Sequence, residues 1–347
     1  MKSKKFVCVM LITAFVLLFL FAAFNFAIDP LFQYHLPWFG MKPIITSERY
    51  QNAGVAKTFD YDIALLGNSL SENFLVSDLN NTFGGKAVKL TSSDSYCLDW
   101  SYNLSTLKDH PGLKTVLFNF DPYCMKNTYK ELKHSVPLYL YDNNYLNDVE
   151  YLLNVEITKS FTFNAINSNI AGDYPDYDRL FYWADDWEFG KEAVLKHERK
   201  ELSSEEHDVE EYKENARKNI ELLTPYFERM PDTQFVIFCS PFGMYFWDGE
   251  IRENTAVLEE EGYLTALEIL TGYDNVQVFL WTDDEMLGIM SNLDNYTDGH
   301  HYSPEINKEI LRRIKAGEGL LTQENYKEEV DKFFDFIYSF DYDSLFE

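Results

Sequence analysis

The stretch DIALLGNSLSENF (62–74) ends an apolar run on a glycine and an asparagine and then presents Ser69. A serine hydroxyl is a poor nucleophile until a base takes its proton, and the base works best when a third group orients it. The chain has seven histidines, and two of them stand together as His300 and His301 in NYTDGHHYSPEIN (295–307). Asp298 precedes His301 by three residues, close enough in a turn to accept its Nδ1–H. Ser69, His301 and Asp298 are therefore candidates for nucleophile, base and orienting carboxylate. Plainer readings stand beside this one. Ser69 also suits the cap of a helix that follows a strand, and the two histidines also suit a surface turn. Asp294, Asp298, His300 and His301 have metal-ligand types, but the chain has no other histidine cluster, so no metal and no cofactor is expected.

These residues need elements to bring them together. Five short runs, YDIALLG (61–67), KAVKLT (86–91), KTVLFNF (114–120), TQFVIFCS (233–240) and NVQVFLW (275–281), are nearly unbroken in apolar residues. Such runs predict strands buried on both faces, as in a parallel sheet. Helical patterns fall between them, over 203–229 and over 303–317, the latter with Ser303 as cap, Pro304 in first position and Gly317 at its end. The alternation predicts a three-layer α/β/α domain on a mostly parallel five-stranded sheet over 58–320. Ser69 would sit at the carboxyl edge of its first strand, where α/β sheets place ligands. Residues 121–200 are too long for a crossover and rich in aromatics, among them Tyr182, Trp183 and Trp187. They predict a mostly helical insertion that forms a cap or walls a groove leading to Ser69, its rings suited equally to ordinary core packing and to the apolar faces of sugars. Residues 321–347 predict a helical tail packed back on the domain or the membrane surface.

The 23 residues from Phe6 to Ile28 carry no charge, enough for a helix of about 34 Å that crosses a bilayer. Lys2, Lys4 and Lys5 precede it, so the positive-inside rule puts the short end in the cytoplasm and the bulk outside. The apolar run is longer than a signal-peptide core and lacks a clean cleavage site. Residues 1–28 are thus expected as a stub and retained anchor, and 29–57 as a connector along the membrane face. Beyond the anchor, 27 basic residues face 57 acidic ones, a balance of −30. That argues against nucleic acid as a partner. Cys97, Cys124 and Cys239 are too few and too scattered for a disulfide framework and are expected as small buried hydrophobes.

GNSL (67–70), standing where GDSL would, and DGHH (298–301), matching a terminal D-x-x-H, resemble the SGNH/GDSL hydrolase superfamily. The order also fits, with serine after the first strand and acid and histidine before the last helix. The resemblance implies a flavodoxin-like SGNH-type sheet with Ser69 as nucleophile, His301 as base and Asp298 as orienting carboxylate. It implies oxyanion donors from the Ser69 amide, from an amide after the second strand and from an asparagine after the third. The chain reads TSSDSYC after its second strand, with no glycine, which leaves the amides of Asp94 or Ser95. After the third it reads FNFDPY, and Asn119 is a better donor than Asp121, whose charge would oppose an oxyanion. The single-pass layout resembles the exported proteins that complete teichoic-acid D-alanylation or acetylate surface polysaccharides. The implied activity is esterase or O-acyltransferase on acyl esters of cell-surface polysaccharide or teichoic acid, with a membrane acyltransferase as a further partner. The alternative is an inactive protein of the same fold that binds glycan or assists envelope assembly.

Overall fold

A computed structural model describes residues 2–347. The chain divides into two compact units, Met1–Asp60 with Ser105–His110 and Val136–Asp176, and Tyr61–Leu104 with Pro111–Ser135 and Tyr177–Glu347.

The second unit holds one six-stranded sheet. Its strands are β1 (Ile63–Leu65), β2 (Ala87–Lys89), β3 (Thr115–Phe120), β4 (Gln234–Cys239), β5 (Val276–Phe279) and β6 (Leu320–Leu321), in the order β2-β1-β3-β4-β5-β6. The first five run parallel, and β6 pairs antiparallel with β5 through Val278↔Leu321 and Phe279↔Leu320. All five strands read from the sequence are present. The sixth corrects the expected count, since two leucines after Gly319 carry no period of their own. β3 and β4 are buried from their second residue onward, as strands covered on both faces must be. Chain order reverses beside β1, which puts the switch point where its carboxyl end opens.

The helix expected over 203–229 begins later, at Val209, because Asp208 rather than an earlier serine caps it, its side chain accepting from the Glu211 amide. Leu222 and Leu223 then separate Val209–Glu221 from Thr224–Arg229. Pro304–Ala316 forms as read, closed by Gly317 at φ 73°. The tail forms the helix Tyr326–Ser339 and packs on its own unit, with Phe333 and Phe334 edge-on to the buried Trp247.

The aromatic segment 121–200 does not form a single insertion. Residues 136–176 cluster with the first unit, while 121–135 and 177–200 belong to the second. Its helices are short and separated by irregular chain, against the expectation of a mostly helical cap.

The first unit begins with the helix Lys2–Ile28, of which Ser3–Ile28 is long and apolar enough to cross a membrane. Residue 1 lies outside the described residues. The buried Asp29 carboxylate ends that helix by accepting from the amides of Gln33, Tyr34 and His35 and from the Tyr151 hydroxyl. The following connector runs against the helix Glu48–Thr58 so closely that a Cβ at Gly54 would lie 1.7 Å from the Leu31 carbonyl oxygen. Only glycine fits there.

Candidate active site

β1 delivers its chain to a turn that no larger residue could make. Gly67 has φ 137°, and a Cβ on it would lie 2.2 Å from Ser71 Oγ and 2.4 Å from Asn119 Oδ1. Asn68 then caps the short helix Ser69–Glu72, its Oδ1 accepting from the Leu70 amide at 3.1 Å. Because Asn68 does the capping, the Ser69 hydroxyl is free for another partner. That partner is His301 Nε2, at 2.8 Å.

His301 sits in a loop closed by an isolated bridge between Tyr296 and Tyr302, both buried, and by the Thr297 amide on the His301 carbonyl at 3.0 Å. The Tyr296 hydroxyl anchors the loop to the Pro241 carbonyl at 2.7 Å, just beyond β4. Within the loop Asp298 Oδ1 accepts from the amides of His300 and His301, both at 2.8 Å, and its Oδ2 stands 2.7 Å from His301 Nδ1. A carboxylate only accepts, so Nδ1 carries the proton and Nε2 is left to accept from Ser69. Burial alone would raise the Asp298 pKa, but the His301 hydrogen bond and the flanking imidazoles outweigh it and hold the carboxyl well below the usual range. Burial, reinforced by His301, lowers the His300 pKa to about 4, so that ring is neutral near pH 7. It lies 4.1 Å from the His301 ring and packs on Tyr123 and Phe242.

Asp298, His300 and His301 are close enough to be considered as metal ligands. Their ligand atoms are already turned on one another and on Ser69, and Asp294 Oδ1 accepts from the Lys191 amide instead. The donor set suits proton transfer better than coordination.

The candidates for oxyanion donors are not alike. Asn119 is fully buried, with Nδ2 donating to Asn68 Oδ1 at 3.2 Å and to Asp121 Oδ2 at 2.7 Å. Its Oδ1 takes the Asn68 amide and the Ser71 hydroxyl. Both of its amide hydrogens are thus spent on holding the Gly67–Asn68 turn, which corrects the expectation that Asn119 faces an oxyanion. Ser95 is corrected likewise. Its amide donates to the Ser92 carbonyl at 3.1 Å, and its hydroxyl bonds the Gly67 carbonyl and the Trp100 indole. The amides of Ser69 and Asp94 meet no acceptor among the described residues. Asp94 lies in left-handed backbone at φ 58°, and burial would raise its pKa, but Lys133, Tyr96 and His134 bring it down to about 2.

Two cavities open beside Ser69. One, of about 220 Å³, is bounded by Ser69, Glu72, Ser93, Trp183, Trp187, Thr297 and His301. The other, of about 390 Å³, is bounded by Asn68, Asp94, Tyr96, Tyr123, Lys133 and His300 as well as the Ser69–His301 pair. Trp183 does more than line a wall. Its indole N–H donates to the Ser69 carbonyl at 2.9 Å, its ring stands edge-on to His301 at 5.2 Å, and its amide bonds Asn73. Tyr182 lines neither cavity; the Arg179 guanidinium covers its ring at 4.0 Å. The sequence reading missed Asn68 and Asp121 as the buried frame of the turn. The only signal was an asparagine after the glycine and an acid ending β3, neither informative alone.

No known family model matches this chain, and no curated protein does. Among solved structures it is similar to "a putative platelet activating factor from Streptococcus pneumonia", at a TM-score of 0.35 and 13% identity over 84% of this chain and 91% of that one. At that distance the functional reading stands on the geometry of the site.

Proposed function

We propose that the second unit is a serine acyl-ester enzyme of SGNH type, an esterase or O-acyltransferase working through an acyl-enzyme. The observation that carries this is the unbroken line from Ser69 Oγ to His301 Nε2 at 2.8 Å and from His301 Nδ1 to Asp298 Oδ2 at 2.7 Å. Ser69 Oγ attacks the ester carbonyl while its proton passes to His301 Nε2. The resulting imidazolium is held by Asp298 and gives that proton to the departing alkoxide, leaving acyl-Ser69. Water or a sugar hydroxyl then loses its proton to His301, attacks the acyl carbon, and releases Ser69, which recovers the proton. The Ser69 and Asp94 amides are the donors proposed for the oxyanion. Trp183 and Trp187 are proposed to border the bound ester.

The substrate pool follows from the N-terminal helix. Read as a retained anchor with Lys4 and Lys5 in the cytoplasm, it exports the large domain toward acyl esters of surface polysaccharide or teichoic acid. A membrane acyltransferase is the proposed acyl source where the reaction is transfer. An activated fluorophosphonate tests the core of the proposal, since it should label the full-length protein and fail on Ser69→Ala. Absence of labelling in the folded wild type would favour the second reading, an inactive glycan-binding or envelope-assembly protein. One observation points that way: the Asn119 amide is spent inside the protein.

A further inference from the structure

We infer that the first unit is seated in the lipid bilayer as an apolar collar around the exit of the N-terminal helix. This rests on reading that helix as a membrane span. Its hydrocarbon contact starts at Phe6, after Lys5, and its side chains stay exposed as far as Leu20. From Phe21 one side of the helix is covered, so that Asn25 is fully buried while Phe24 and Phe26 each stay 37% exposed. The uncovered stretch measures only about 22 Å at the α-helical rise, against a hydrocarbon core of about 30 Å. Tilting the helix shortens its reach further. The missing length is that of the next turn or two, which the first unit covers in part, so what packs there must face acyl chains.

The residues at that place suit lipid. Phe163 stands 6.2 Å from Phe24, Trp38 stands 5.9 Å from Phe26, and Tyr145 stacks on Tyr34 at 6.5 Å. Around these, Leu146 is 89% exposed, Ile170 80% and Phe39 77%. Phe163 and Ile170 lie seven residues apart on the helix Phe163–Ala171 and so share one face. An apolar surface of this kind is costly in water and marks contact with something apolar. Aromatic rings at the end of a span also belong at the headgroup boundary. The buried polar group of the span is satisfied from within: Asn25 Nδ2 donates to the Leu152 carbonyl and Thr158 Oγ1, and Thr162 Oγ1 donates to Asn25 Oδ1, while the exposed Lys159 beside them pairs with Glu156 at 3.2 Å. Backbone and side-chain polar groups surrounded by lipid need that closure.

The test uses the full chain, with Cys8→Ala to remove its exposed thiol, reconstituted singly in nanodiscs. Single cysteines at Leu17, Leu146, Phe163 and Ile170 carry an environment-sensitive fluorophore. Lipids with nitroxides on their acyl chains should quench most of the emission at all four sites, and aqueous iodide should quench little. If Leu17 is quenched by lipid but the three collar sites respond to iodide, the collar is wrong and the span stands. If Leu17 itself escapes the nitroxide, the reading of the helix as a span fails. Collar sites shielded from both quenchers would mean that protein, not lipid, covers them, and this too would overturn the inference.

Discussion

Ser69 stands between two regions built in different ways. On one side, the loop from Tyr296 to Tyr302 holds acid and base three residues apart, and Asp298 fixes its own loop through two amides before it reaches the imidazole. On the other, the segments after β2 and β3 come together only because their strands flank β1. There Asn119 and Ser95, whose types suit oxyanion donors, are used to hold the turn. The difference teaches that a local, self-closing motif assembles from its own few residues. A motif assembled from three strands can have the right residues and spend them on structure.

The largest effect should come from breaking the well-built side. Ser69→Ala and His301→Ala should each lower kcat by roughly 10⁵ to 10⁶, and the double variant by no more than either, because the two act as a unit. Additive losses on a simple acetyl ester would end the triad reading. Asp298→Asn should cost about 10⁴, since it leaves the loop but fixes the wrong imidazole tautomer. Full activity in that variant would show that the carboxylate orients nothing.

The other side is sharpened by Asn119→Ala. If its amide only holds the Gly67–Asn68 turn, the variant should lose on the order of 1–3 kcal/mol of stability, visible as a lower Tm, with kcat of the folded fraction nearly kept. A loss of about 10² to 10³ in kcat at unchanged Tm would instead make it an oxyanion donor and reverse the assignment.

Buried acids show the same contrast in a milder form. Asp298 has a histidine partner and is held low, whereas Glu259 lies beside Glu250, its rise opposed by the Tyr212 hydroxyl at 2.7 Å and, more weakly, by Lys126. Burial first, and then Glu250, raises Glu259 to about 8. The folded protein therefore keeps a proton that the unfolded chain releases near pH 4.5, so stability should fall as pH rises from about 4.5 to 8 and level off above that. Glu259→Gln should remove this slope and raise Tm at pH 8 while changing little near pH 4.5. An unchanged slope in thermal melts across that range would show that Glu259 ionises freely.

Much of this protein was determined by its sequence because the physics is local. Five parallel strands, the helix from Pro304 to Gly317, the apolar N-terminal helix and the Asp298–His301 pairing all follow from runs, caps and short spacings that act within a few residues. What only the tertiary structure decided involves long separations. β6 exists because Leu320 and Leu321 find the edge of β5, not because two leucines form a strand. The segment 121–200 divides because residues 136–176 find their packing partners in the N-terminal region, and composition is blind to which apolar surface a ring will meet. Ser69 and His301 lie 232 residues apart, and no spacing rule brings them to 2.8 Å. Asn119 is directed inward by the Asp121 carboxyl and the Asn68 side chain, which take its two amide hydrogens, a competition that is won by whichever acceptor the fold brings near.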